Sequence, residues 1–181
     1  TTFLNLLLRF LEPQEGEITV NGTNISEIEA DSYRGLFAVV DQAPYLFSGT
    51  IRENIDLDLR TDREAFLRAC EKSGADSFIA KLPEKEECVI GQNGSMLSGG
   101  ERKKVAVARA MVREAPIIVL DEATAGYDEE SDAHLHDFLI RQTEGKTLIV
   151  ITHNLEHLEG MDRVYCLEDG KLIEAEYSRM R

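Results

Sequence analysis

No apolar run in this 181-residue sequence approaches the roughly 18–20 residues needed to span a bilayer. The longest, near Ile117–Leu120 and Leu148–Ile151, are strand-sized. Cysteine is scarce: Cys70, Cys88 and Cys166 are odd in number and far apart, and no C-x-x-C or Cys/His spacing suggests a metal. The plain expectation is unpaired, mostly buried thiols in a reducing compartment. Basic residues are outnumbered, 20 Lys and Arg against 34 Asp and Glu, for a net charge of −14. A sheath this acidic repels phosphate backbones at long range and excludes a general nucleic-acid partner. There is no internal repeat, low-complexity segment or signal peptide. The chain opens on Thr1 and not on Met, which predicts a segment of a longer protein.

What is present is the composition of a soluble globular protein, 43% hydrophobic and 30% charged, in one domain of ordinary size or most of one. Phe3–Leu11 is apolar almost all round and predicts a buried helix. Glu17–Val20 and Thr23–Ile25 are short strands about Asn21-Gly22, a type I′ hairpin signal. Leu36–Val40 has the length of a buried strand. Thr61-Asp62-Arg63-Glu64 reads as a capping box opening a helix with Ala65, Phe66 and Ala69 on its apolar side. A helical stretch around Asp76–Leu82 ends at Pro83. Ser98–Arg113 is a long helix, Ile117–Leu120 a strand, Asp128–Gln142 an amphipathic helix and Thr147–Ile151 a strand. Val164–Leu167 and Lys171–Ile173 flank a second hairpin turn at Asp169-Gly170. Buried strands alternating with helices imply a parallel sheet covered on both faces. Ligands of such sheets bind beyond the carboxyl ends of the strands. Gln42, Asp121, Glu122 and His153 all follow strand ends, so one sheet edge collects them.

Two segments carry the chemistry. Leu97-Ser98-Gly99-Gly100-Glu101 places two glycines behind a serine at a helix start, where backbone N–H groups attract phosphate. Ser-x-x-Glu is itself a capping box, yet glycine costs a helix roughly 1 kcal/mol per residue relative to alanine. That cost makes sense if something approaches the backbone closely. The strand Ile117–Leu120 follows and ends on Asp121-Glu122, with Asp121 twenty residues after Glu101. One carboxylate there can hold Mg²⁺ against phosphate oxygens, and the other can orient or deprotonate an attacking water. The acidity of the whole chain does not forbid this, because a phosphate site needs only local donors.

In this order and spacing the segments resemble the signature motif and Walker B strand of an ABC transporter nucleotide-binding domain, and the likeness runs over essentially the whole chain. It implies an α/β, P-loop NTPase-like fold: a parallel sheet flanked by helices, with a mainly helical signature subdomain over about 50–114 and a RecA-like core from about 1–49 and 115–181. It implies Asp121 as the magnesium carboxylate, Glu122 as general base, Gln42 as the Q-loop glutamine sensing Mg²⁺ and water, and His153 as the H-loop histidine on the γ-phosphate. Ser98, Gly99 and Gly100 then contact ATP bound to an opposite subunit. Asp128 stands at the D-loop position and is also a plausible N-cap. Glu101 departs from the family's usual Gln. Tyr45, Leu46 and Phe47, in a stretch running to Ile55 that resembles the exporter region facing the membrane domain's coupling helices, fit a partner interface, with burial in the core as the competing account. Gly91-Gln92-Asn93-Gly94 resembles the exporter X-loop, although Cys88-Val89-Ile90 lacks its acidic residue. His134, His136 and His157 are expected to be solvated on helices.

A Gly-x-x-x-x-Gly-Lys-[Ser/Thr] loop does not occur. Thr1 and Thr2 stand where the residues after its lysine belong, Thr1 as a Mg²⁺ ligand with Gln42 and Asp121, and Thr2 as a phosphate contact. The polypeptide as given is therefore expected to bind ATP weakly and hydrolyse little. The resemblance implies ATP and Mg²⁺, a transmembrane domain in the same polypeptide or a separate subunit, a second ATPase domain as homo- or heterodimer, and the cytoplasmic face of the cell membrane. A soluble ABC ATPase of the DNA-repair or ribosome-associated type is the alternative. The exporter-like stretch, the acidity and the lack of coiled-coil arms disfavour it. Glu122, His153 and the intact Ser98-Gly99-Gly100 disfavour a non-hydrolysing regulatory half-site.

Overall fold

The computed structural model describes residues 2–122 and 145–175. Helix α1 (Thr2–Leu7) is followed by strands β1 (Thr19–Val20) and β2 (Thr23–Asn24), helix α2 (Ala30–Gly35) and strand β3 (Phe37–Val40). Next come helices α3 (Ile51–Ile55), α4 (Arg63–Lys72), α5 (Asp76–Ile79) and α6 (Gly99–Val112). Strands β4 (Ile117–Asp121), β5 (Thr147–Ile151), β6 (Val164–Glu168) and β7 (Lys171–Ala175) complete the described elements.

Strands β3, β4 and β5 form one parallel sheet in that order, with Val40 opposite Leu120 and Asp121 opposite Ile151. Side chains of a strand alternate between faces. Ile118 and Leu120 accordingly pack with Ala106, Val107 and Ala110 of α6, while Val119 packs with Leu4, Leu8, Tyr33 and Phe37 on the other side. With both faces covered, β4 has no polar side, which is why its sequence is an unbroken apolar run.

Helix α6 is buried twice. Its residues Ala106, Val107 and Ala110 meet the sheet, and Val105 and Ala108 meet a separate helical core with Leu46, Ile51, Ile55, Phe66 and Phe78. Small alanines let α6 approach both. The start of the helix is left free of that packing, since Ser98 and Gly99 are exposed.

Asn21 (φ 50°) and Gly22 (φ 79°) both sit in the left-handed region, as a type I′ turn requires. The strands they join are shorter than expected, because Ile25 already begins a 3₁₀ turn capped by the Asn24 side chain. Asp169 (φ 48°) and Gly170 (φ 76°) turn β6 into β7 in the same way.

Three expectations need correction. The helix expected over Phe3–Leu11 stops at Leu7, and Phe10 and Leu11 are 61% and 47% exposed. Arg9, at φ 58°, ends it: its N–H donates to Leu6 O, and Phe10 N–H reaches back to Asn5 O, a Schellman closure. A non-glycine residue is held there by its own side chain, whose Nη1 donates to Ile25 O (2.8 Å) and Ile28 O (2.6 Å). Helix α4 is capped by Asp62, which accepts from Ala65 N, and not by Thr61. Of the thiols only Cys70 is buried, its pKa pushed up to about 12 chiefly by that burial; Cys88 and Cys166 are half-buried. No helix among the described residues is long and apolar enough to cross a membrane.

Candidate functional site

The carboxyl ends of the three parallel strands lie along one edge, and each is followed by a polar side chain. Past β4 the chain turns sharply at Glu122, a non-glycine residue at φ 46°. That conformation costs an L-residue of order 1–2 kcal/mol and needs support. Glu122 N–H donates to Ile151 O at 2.9 Å, adding one rung to the β4–β5 ladder. Glu122 O accepts from Lys103 Nζ of α6 at 3.1 Å.

The Glu122 carboxylate, so placed, is gripped from both neighbouring strand tips. Gln42 Nε2, past β3, donates to Oε2. His153 Nε2, past β5, lies 2.9 Å from Oε1. Gln42 and Glu122 are 80 residues apart in sequence, so only the parallel register brings them together. The side chain of Glu122 is 22% exposed and that of His153 94%. One carboxylate accepting two hydrogen bonds keeps lone pairs free for a further donor, such as a water.

Asp121, one residue earlier, is only 9% exposed. No donor among the described residues meets its carboxylate. Its charge also acts on Asp41 at the tip of β3, whose carboxyl is raised above its ordinary value, first by burial and then by Asp121. Burying a bare carboxylate is costly. This one has the chemistry of a ligand for a hard cation.

At the other phosphate-type feature, Ser98 caps α6 through a full capping box. Its Oγ accepts from Glu101 N (3.3 Å), and Glu101 Oε2 accepts from Ser98 N and Oγ (both 2.8 Å). Glu101 can therefore stand where a glutamine is usual and still close the box. The Gly99 and Gly100 amides find no acceptor among the described residues, leaving two N–H groups pointing off an exposed helix start. A Cβ on Gly99 would approach nothing closer than Arg102 Nη2 at 4.0 Å. Internal packing does not require glycine there.

Thr2 is exposed at the start of α1. Thr1 and Asp128 lie outside the described residues, as do His134, His136 and the expected helix Asp128–Gln142. The stretch from Tyr45 to Ile55 divides: Tyr45 (58%) and Phe47 (50%) are exposed, but Leu46 is fully buried in the helical core. Leu46 N donates to Asn93 Oδ1 (3.2 Å), and a Cβ on Gly94 (φ +62°) would come within 2.8 Å of Leu46 Cδ1, so any side chain there would have to displace buried Leu46 in a backbone conformation that already favours glycine. His157 is half-buried, its Nδ1 3.0 Å from Thr152 Oγ1, and sits in a 3₁₀ turn. Sequence reasoning missed two cations of α6, Lys103 and Arg109. Arg109 Nε and Nη1 donate to Asn54 O (2.6 Å) and Tyr45 O (3.0 Å), tying the Tyr45–Asn54 segment to α6.

With this geometry in view, the ABC transporter family model matches residues 1–125. The chain is 40% identical over 174 residues to an ATP-dependent lipid A-core flippase of Burkholderia orbicola (strain AU 1054), covering 96% of this chain and 29% of that protein. It is 42% identical over 175 residues to the flippase of the same name from Neisseria meningitidis serogroup A / serotype 4A (strain DSM 15465 / Z2491), covering 96% and 28%. With the ABC multidrug transporter atrD of Emericella nidulans it shares 38% over 178 residues, 97% of this chain and 13% of the relative. The chain thus spans less than a third of the length of these relatives. Among solved structures, a bacterial Atm1-family ABC exporter with ATP bound superposes at a TM-score of 0.93 and 31% identity, over 99% of this chain and 32% of the other.

Proposed function

The chain belongs to the ABC transporter family, and from that premise we propose that it is the ATP-binding and ATP-hydrolysing domain of an exporter-type membrane transporter. One observation carries the reading. Glu122 is fixed between Gln42 and His153 at the carboxyl edge of the parallel sheet, next to a buried carboxylate, Asp121, that lacks a donor among the described residues. The likeness to exporters supports the direction of transport. We also read the chain as a core over about 1–49 and 115–181 and a helical subdomain over about 50–114.

Roles follow residue by residue. Asp121, with Gln42 and Thr1, is the set that would hold Mg²⁺, which when bound neutralises phosphate charge. Glu122 accepts the proton of the attacking water, and His153 Nε2 keeps its carboxylate oriented. The N–H groups of exposed Gly99 and half-buried Gly100 meet the γ-phosphate of ATP held by the second copy, alongside Ser98; Thr2 contacts phosphate, and Asp128 belongs to the same dimer face. Tyr45 and Phe47 face the transmembrane domain, on the cytoplasmic side of the membrane. This polypeptide by itself hydrolyses little, because the lysine loop is not in it.

The test is phosphate release by the assembled transporter reconstituted in lipid vesicles. Hydrolysis that saturates with ATP and stops when EDTA removes Mg²⁺ is expected; absence of hydrolysis by protein that binds ATP contradicts the reading. Gly99→Ala separates structure from approach. Alanine there is expected to leave the melting temperature unchanged or raise it, being worth up to about 1 kcal/mol in a helix. Hydrolysis should nonetheless fall roughly 10- to 100-fold from a misplaced phosphate. An equally active Gly99→Ala protein would show that nothing approaches this backbone.

A further inference from the structure

We propose that Lys103 is a positioning residue for hydrolysis, holding the backbone of Glu122 in its left-handed turn so that the carboxylate stays between Gln42 and His153. The inference rests on Glu122 being the general base, as proposed above. It starts from a lysine that is 7% exposed, in a helix otherwise buried by small apolar residues. An ammonium is expensive to bury, and burial draws the Lys103 pKa down while the Glu122 charge opposes that shift. A buried cation is kept where it makes a contact that matters, and here Nζ donates to Glu122 O at 3.1 Å.

The place of that bond gives it meaning. Glu122 is at φ 46°, where side chains are strained, and its N–H is already held by Ile151 O at 2.9 Å. Fixing both N–H and C=O of one residue leaves its peptide planes little freedom to rotate. The direction of the Cα–Cβ bond, and with it the reach of the carboxylate, follows from those planes. Lys103 Nζ thus holds the backbone of the residue whose side chain Gln42 and His153 hold. Lys103 also sits one turn into α6 from Gly99 and Gly100, so a displacement of that helix start is transmitted to Glu122 through this side chain.

The experiment compares Lys103→Met, which keeps the stem length and removes the donor, with Lys103→Arg, which keeps a donor and the charge. Steady-state ATP hydrolysis by the assembled transporter is the readout, with circular dichroism melting as the check on folding. We expect Lys103→Met to lower kcat roughly 10- to 100-fold, the size of effect that misplacing a reacting group produces, with KM for ATP within about twofold of wild type, as for a group acting only in the chemical step. Lys103→Arg should recover most of that loss. On a Glu122→Gln background Lys103→Met should change the residual rate far less than on wild type, because the base it positions is gone. If Lys103→Met does not accumulate as folded protein, Lys103→Gln is read by the same criteria. Wild-type kcat in Lys103→Met, a loss expressed in KM, or full additivity with Glu122→Gln overturns the inference. A wild-type protein that fails to hydrolyse ATP overturns the proposed function instead, and the two failures cannot be confused.

Discussion

Replacing Glu122 by Gln is expected to slow ATP hydrolysis by roughly 10²- to 10⁴-fold, the usual worth of a positioned general base, while ATP stays bound. Glutamine has the same shape and keeps one oxygen for the Gln42 Nε2 donor. It cannot take a proton from water. The His153 Nε2 group, now 2.9 Å from Oε1, would face either an amide oxygen or an amide N–H, so the local structure survives at one of the two contacts. Nothing in the substitution touches the N–H groups of Gly99 and Gly100. A variant that loses rate without losing affinity has lost an interaction made in the transition state. Single-turnover phosphate release and equilibrium nucleotide binding, measured on one preparation, check the split. Loss of binding in step with rate would mean that Glu122 holds nucleotide and does not act on water.

The second large effect concerns stability. Asn54 is fully buried, and its amide uses every available direction. Nδ2 donates to Phe47 O (3.0 Å) and Thr50 O (2.9 Å), while Oδ1 accepts from Phe47 N (2.7 Å) and Arg109 Nη2 (3.2 Å). Asn54→Ala would leave Phe47 N–H, Phe47 O and part of a guanidinium whose own pKa is already lowered by burial without their side-chain partner, while Thr50 O keeps the backbone N–H of residue 54 (3.1 Å). Each unsatisfied buried group costs about 1–3 kcal/mol, without simple addition, so roughly 3–5 kcal/mol is expected in all. That is a large part of the ~5–15 kcal/mol that holds a typical domain together. Asn54→Asp should fare no better, since it points a carboxylate at two carbonyl oxygens. A fall in the urea midpoint at unchanged slope is the check; a change of under about 1 kcal/mol would mean that water replaces the lost partners.

The same hub shows what could and could not be seen in the sequence. Strands β3 and β4 were legible because each is covered on both faces and so written as an apolar run, and β5, half-buried beyond the exposed Thr147, keeps the same run over Leu148–Ile151. The polar residues after each run fell on one edge once the strands were parallel. The turns at Asn21-Gly22 and Asp169-Gly170 were equally plain, since few residues accept φ > 0. The end of α1 was not, because Phe10 and Leu11 are apolar yet follow a left-handed Arg9 that depends on carbonyls 16 and 19 residues away. Leu46 looked like its neighbours Tyr45 and Phe47, and its packing in the helical core with Ile51, Ile55, Phe66 and Val105 separates it from them. Lys103 and Arg109 read as the charged side of an ordinary helix. Their roles depend on partners 19 and 55 residues distant, and no local pattern encodes those. Arg109, set between Ala108 and Ala110, was the available signal, whereas Lys103 is hidden in the charged run Glu101–Lys104.

If strand tips of one copy and the glycine-led helix start of another close on the same nucleotide, both must be intact for that nucleotide to be retained. The decisive measurement is retention of labelled ATP on the Glu122→Gln transporter after rapid gel filtration, compared with the same protein also carrying Gly99→Asp. An acidic residue in the first turn favours the helix, so the fold of α6 is kept while a negative charge is set against phosphate. Glu122→Gln should carry ATP through the column, and the added Gly99→Asp should release it at equal melting temperature. Equal retention by both proteins would contradict the shared site, for the helix start would then take no part in holding the nucleotide.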